Sequence, residues 1–98
     1  MTQTIWKYEI PVTDEYHLAM PKGAQILHVA PSHVNPTGAI WLWARVEEPT
    51  MDEATEVRVF LVYGTGHEIR PPSGTRVYIG TVTPYPLVWH VFELVSDA

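Results

Sequence analysis

The hydrophobic residues of this 98-residue chain recur with a period of two rather than 3.6, which commits most of it to pleated strands. Across residues 4–12, Trp6, Tyr8 and Ile10 share one face, while Ile5, Lys7 and Glu9 share the other. In 39–47, Ile40, Leu42, Ala44 and Val46 fall on one side, with Trp41, Trp43, Arg45 and Glu47 opposite. Residues 24–30, 56–63, 76–82 and 87–95 complete six strand candidates, rich in residues that fit a half-buried pleat. Turn chemistry separates them: Pro21-Lys22-Gly23, the stretch from Pro31 to Gly38, Pro71-Pro72-Ser73-Gly74 and Pro84-Tyr85-Pro86. Two segments could turn helical. Residues 13–20 follow a candidate cap at Thr13 or Asp14, but Pro21 limits them to a turn or two. Residues 48–55 are acidic and read as a loop with one helical turn. The expected fold is all-β and a single domain over residues 1–98. It has about six antiparallel strands in a small barrel or sandwich, with at most one or two short helical turns.

Several strands carry large side chains on both faces. Trp41 and Trp43 oppose Ile40 and Leu42; Val57, Val59 and Leu61 oppose Phe60 and Val62. A sheet with one wet face would then expose an apolar patch, the usual mark of a partner or ligand surface. Self-association as a homo-oligomer buries such a face, and is the expectation here. The alternative is a closed barrel capped by residues 14–20.

Composition narrows the function classes. Hydrophobic residues at 46% and charged residues at 17% place the chain among folded domains, not disordered ones. A net charge of −5, with Lys7, Lys22, Arg45, Arg58, Arg70 and Arg76 as the only cations, argues against general nucleic-acid binding. The absence of cysteine removes disulfides, thiolate metal sites and thiol nucleophiles, and fits a reducing compartment. No signal-peptide pattern opens the chain, and no apolar run approaches the roughly 20 residues of a membrane-spanning helix. The expectation is a cytoplasmic protein without a membrane partner.

Catalytic signatures are sparse. His17, His28, His33, His67 and His90 form no HExxH or similar cluster, so neither a metal nor another cofactor is expected. Ser32, Ser73 and Ser96 lie near turns or the tail, outside any GxSxG elbow. His67 and Glu68 are adjacent, and in a strand they would point apart. No catalytic residue is assigned. A metal-dependent hydrolase is the enzymatic alternative.

Binding chemistry is better represented. Tyr63-Gly64-Thr65-Gly66-His67-Glu68-Ile69 ends a strand-like run with two glycines around a hydroxyl, then an imidazole. Such a turn can offer N–H groups to an anion, although the lysine of a P-loop is missing; on local grounds alone it reads first as a tight bend between strands. Gly64, Thr65, Gly66, His67 and Arg70 are the candidate anion contacts. Lys7 and Arg45 would add cationic support, and Trp43 a stacking surface for a base.

The ordered set Ile5-Trp6-Lys7-Tyr8, Met20-Pro21-Lys22-Gly23-Ala24, Leu42-Trp43-Ala44-Arg45-Val46, the Gly64-Thr65-Gly66-His67 turn, Tyr78-Ile79-Gly80-Thr81 and His90-Val91-Phe92-Glu93 spans nearly the whole chain. It resembles a family of small uncharacterised proteins of tailed bacteriophages and prophages. That family opens with I-W-K-[YF], carries M-P-x-G-A and F-G-T-G-H-x-I, and closes with H-V-F-E. Tyr63 stands where that family has Phe, and the segment from Pro31 to Gly38 is longer. The resemblance implies a phage or prophage origin, and by analogy of context a role against host defence. The expected function is non-enzymatic binding and sequestration of a small anionic, nucleotide-type immune signal in the cytoplasm of the infected bacterium. The alternative is a protein–protein inhibitor or scaffolding protein docking through an exposed aromatic face.

Overall fold

The computed structural model describes residues 2–47, 55–69 and 74–95. Seven strands follow in order: β1 (Gln3–Pro11), β2 (Glu15–Pro21), β3 (Gln25–Pro31), β4 (Ala39–Glu47), β5 (Thr55–Gly64), β6 (Thr75–Val82) and β7 (Trp89–Val95). They form two sheets, β1-β4-β3 and β2-β5-β7-β6, in which every pairing is antiparallel. The least extent of 16 Å matches two stacked sheets, whose backbones lie about 10 Å apart. The all-β expectation holds, and the architecture is sandwich-like.

The seventh strand is the correction. Residues 13–20, read as a short helical turn, instead supply β2, an edge strand paired with β5 from Glu15↔Leu61 to Pro21↔Thr55. The local cap signal at Thr13 and Asp14 loses to alternation. Tyr16, Leu18 and Met20 all point into the core, which a helical path would have dispersed around its axis. The helical turn expected over 48–55 lies outside the described residues except for Thr55, which opens β5.

The core forms where the inward faces meet. Ile10, Ile40, Leu42, Ala44 and Val46 from the three-stranded sheet pack with Met20, Phe60, Val62, Val82 and Val91 from the other. Trp6, Tyr8, Ile26, Ile79 and Trp89 extend this cluster at its margins. The sheets draw together where β3 meets β6. There the Cα of Gly80 lies so near Val29 that an added Cβ would stand 2.9 Å from Val29 Cγ2.

One end is closed by charge. Arg58 donates to both oxygens of Glu93, with Nη2 to Oε1 at 3.1 Å, and its Nη1 donates to the Ala24 carbonyl at 2.8 Å. This two-point bond holds the guanidinium above its ordinary value, outweighing the burial that favours the neutral form. Because Ala24 immediately precedes β3, the ion pair ties the start of that strand to the opposite sheet.

Candidate functional site

The eight nominated residues do not meet in one place. Lys7, Trp43 and Arg45 lie on the outer face of the three-stranded sheet, whereas Gly64, Thr65, Gly66 and His67 close the end of β5 in the other sheet. Arg70 lies outside the described residues.

On the first face, parity does the positioning. Trp41, Trp43 and Arg45 alternate with the buried Leu42 and Ala44, so all three point outward from the central strand. Lys7, paired with Trp43 across β1–β4, leans diagonally to place Nζ 3.7 Å from the centroid of the Trp41 ring. Glu9 Oε1 accepts from the Trp41 indole N–H at 2.9 Å. The two indoles meet edge to face, with centroids 6.2 Å apart at 90°. His28 sits 5.8 Å from Trp43, and His33 sits 4.5 Å from Trp41. Arg45 is held by a bond to Gln25, a neutral amide.

His28 and His33 were not nominated, and each has a structural reason for arriving here. A bulge between Ile26 and His28 shifts the register of β3, so His28 faces outward beside Trp43 instead of following Ile26 inward. His33 is carried by the connection after Pro31. There the fully buried Ser32 Oγ accepts from the amides of Val34 (3.1 Å) and Asn35 (3.0 Å). The pairing of six aromatic or charged groups on a sheet face can stack a flat ring and offer it cations.

The glycine turn closes on its own imidazole. His67 N–H donates to the Gly64 carbonyl at 3.0 Å, while His67 Nδ1 accepts from the Gly64 amide at 3.1 Å. Gly66 has φ +90°, the left-handed conformation a turn of this kind requires at its third position. At Gly64 an added Cβ would come within 3.0 Å of the His67 ring, so glycine lets the imidazole fold back. Thr65 Oγ1 bonds to His90 Nε2 at 2.8 Å, and His90 Nδ1 bonds to Thr81 Oγ1 at 3.0 Å. Tyr78 OH continues that chain to Thr81 at 2.6 Å. His90 is thus a cross-strand hydrogen-bond partner that pins the turn to β7 and β6.

A concavity of about 830 Å³ opens beside this turn, lined by Leu61, Tyr63, His67, Arg76 and Leu94. Asp14, Glu15 and Glu68 stand around it, a charge balance that opposes a phosphate. We therefore place the candidate site on the aromatic face of the three-stranded sheet, where Lys7 and Arg45 stand beside Trp41 and Trp43 and the Glu9 carboxylate is bonded to the Trp41 indole. Among the described residues, no group of three or more His, Asp or Glu side chains could hold a metal ion, and no helix is long and apolar enough to cross a membrane.

Neither a curated protein nor a solved structure matches the chain. The model of one family, described as "Domain of unknown function (DUF7352)", matches residues 1–98, and the chain belongs to that family.

Proposed function

We propose that this protein is a non-enzymatic binder of a small, planar, anionic ligand of nucleotide type. One observation carries the reading: Trp43, Lys7 and Arg45 converge with Trp41, His28 and His33 on a single exposed sheet face. A base would stack against Trp43 and His28, with its phosphates toward Lys7 and Arg45. The glycine turn, Gly64 to His67, would contribute from the other sheet only through a second copy of the chain. The resemblance to tailed-phage and prophage proteins supports the biological sense, in which the protein withholds a host immune signal and thereby blunts anti-phage defence. Tight holding without turnover requires no general base.

Titration of tryptophan fluorescence with ADP-ribose and a panel of cyclic dinucleotides tests this. We expect saturable quenching by at least one of them. Trp43→Ala should weaken that binding by about 1–3 kcal/mol, the usual worth of one base–aromatic stack. Quenching by none, or binding indifferent to both Trp43→Ala and Lys7→Ala, refutes the reading.

A second reading has its own observation. Ile5 is 58% exposed on the same face, so the surface is also apolar enough to dock a protein. In that case partner capture depends on Ile5 and Trp41 and survives loss of Arg45.

A further inference from the structure

A sandwich of two open sheets has four edges, and here they differ in how they are finished. The β3 edge is broken by the bulge between Ile26 and His28, and the β6 edge by a second bulge between Tyr78 and Gly80. Those two edges lie on the side where the sheets close on each other. Bulges of this kind spoil the template that an edge presents to another chain. The other side carries β1 and β2. Both run in unbroken register and end in a proline, but β2 has seven residues whereas β1 has nine, from Gln3↔Glu47 to Pro11↔Ala39, and so offers the longer free edge. Among the described residues, no strand pairs with its outer edge.

A lysine on an edge strand ordinarily discourages pairing. Lys7 does not stand guard in that way. Its ammonium lies over Trp41, and Glu9 bonds the indole of the same residue, so both charged groups lean toward β4 and away from the free edge.

We propose that a second copy of this chain pairs antiparallel along the β1 edge, about a two-fold axis at Tyr8. Charge selects the register. Centring the pair on Lys7 would set the two lysines against each other, and centring it on Trp6 would set Lys7 against Ile5. Centring on Tyr8 places each Lys7 opposite the second copy's Glu9, twice by symmetry, with Trp6 opposite Ile10 on the inward side. That charge pair forms as Lys7 exchanges its contact with the Trp41 ring, and Glu9 its bond to the indole. The three-stranded sheets then join into one of six strands. Their outer faces become continuous, and the Trp43, Lys7 and Arg45 groups of both copies share one surface. The pairing rests on the edge itself and does not depend on the ligand reading; with Lys7 facing the second copy's Glu9, Trp43 and Arg45 of both copies remain as the groups that face a ligand.

Light scattering coupled to size exclusion, on the full chain without nucleotide, tests the pairing. Wild type is expected at twice the 11.1 kDa of one chain, shifting to the monomer on dilution. Lys7→Glu and Glu9→Lys each set like charges opposite in two places and should raise the dimer dissociation constant by about tenfold or more. The double variant Lys7→Glu/Glu9→Lys should recover association, and so should mixing the two single variants, which a merely damaged fold would not do. Circular dichroism checks that each variant stays folded. A monomeric wild type at every accessible concentration overturns the proposal. So does an oligomer indifferent to both single swaps, which would point to β2 or to an outer sheet face instead. Loss of nucleotide binding with the dimer intact would fault only the ligand reading.

Discussion

Removing the carboxylate of Glu93 should be among the most damaging single changes in this protein. Its side chain is 13% exposed and that of Arg58 16%, and the two share a pair of hydrogen bonds. Glu93→Leu leaves the guanidinium largely desolvated, keeping the Ala24 carbonyl at 2.8 Å and Glu56 at 3.6 Å. Breaking a fully buried pair from one side costs about 3–5 kcal/mol. Partial solvent access and the remaining Glu56 carboxylate reduce that here to about 2–3 kcal/mol. For a domain of this length such a loss lowers the melting temperature by roughly 10–20 °C. Arg58→Met combined with Glu93→Leu removes both charges and should cost only about 1 kcal/mol. Because Arg58 is held above its ordinary value, its contribution is complete below that value and is lost only at higher pH still. Urea and thermal unfolding followed by tryptophan fluorescence measure all three proteins. If the single variant loses less than about 1 kcal/mol, or the double variant is as unstable as the single, the ion pair is not the clamp that the geometry describes.

Two further changes probe the packing. The Tyr8 hydroxyl is buried with no hydrogen-bond partner, so Tyr8→Phe should leave stability unchanged or raise it by up to about 1 kcal/mol. Burial also pushes the Tyr8 phenol above its ordinary value of about 10, so the unfolded chain ionises first and stability falls as pH rises beyond that point. Urea unfolding across alkaline pH should show a shallower loss for Tyr8→Phe than for wild type. Gly80→Ala would bring a Cβ to 2.9 Å from Val29 and should destabilise by about 1–2 kcal/mol. Val29→Ala in the same chain should relieve part of that clash, which appears as non-additivity in a double-mutant cycle.

What could be read in advance was set by local alternation, and what could not was set by distant pairing. In β4 the order of buried Ile40, Leu42, Ala44 and Val46 against outward Trp41, Trp43 and Arg45 follows from parity alone. Lys7 and Glu9 are assigned to the outer face of β1 in the same way. β2 escaped because a capping residue and a following proline speak only about local conformation. Its partner, β5, lies some forty residues further along. His28 escaped for a sharper reason. Strict alternation puts it on the side of Ile26, and only the extra residue at the bulge turns it outward beside Trp43. Nor does any sequence pattern place Gly64 and Trp43 on different sheets. That is a property of strand order.

The conspicuous motif and the best-placed chemistry therefore part company. A phosphate-binding nest needs backbone N–H groups that are still available, yet the Gly64 amide is bonded to His67 and the Thr65 hydroxyl to His90. An anion could use those two donors only by displacing both bonds, and it would meet the carboxylates of Glu15 and Glu68 nearby. What the glycines accomplish locally is to end β5, fold the imidazole back and fasten the turn to β7. No comparable displacement is needed at the aromatic face. There the cation of Lys7 rests on a ring, and that of Arg45 on an amide, neither of which neutralises it. A cation so held can turn to an incoming phosphate at the cost of one weak contact, about 0.5–1 kcal/mol for an exposed cation–π pair. That difference in what must be broken is the physical reason to look for the ligand at Trp43 before looking for it at Gly64.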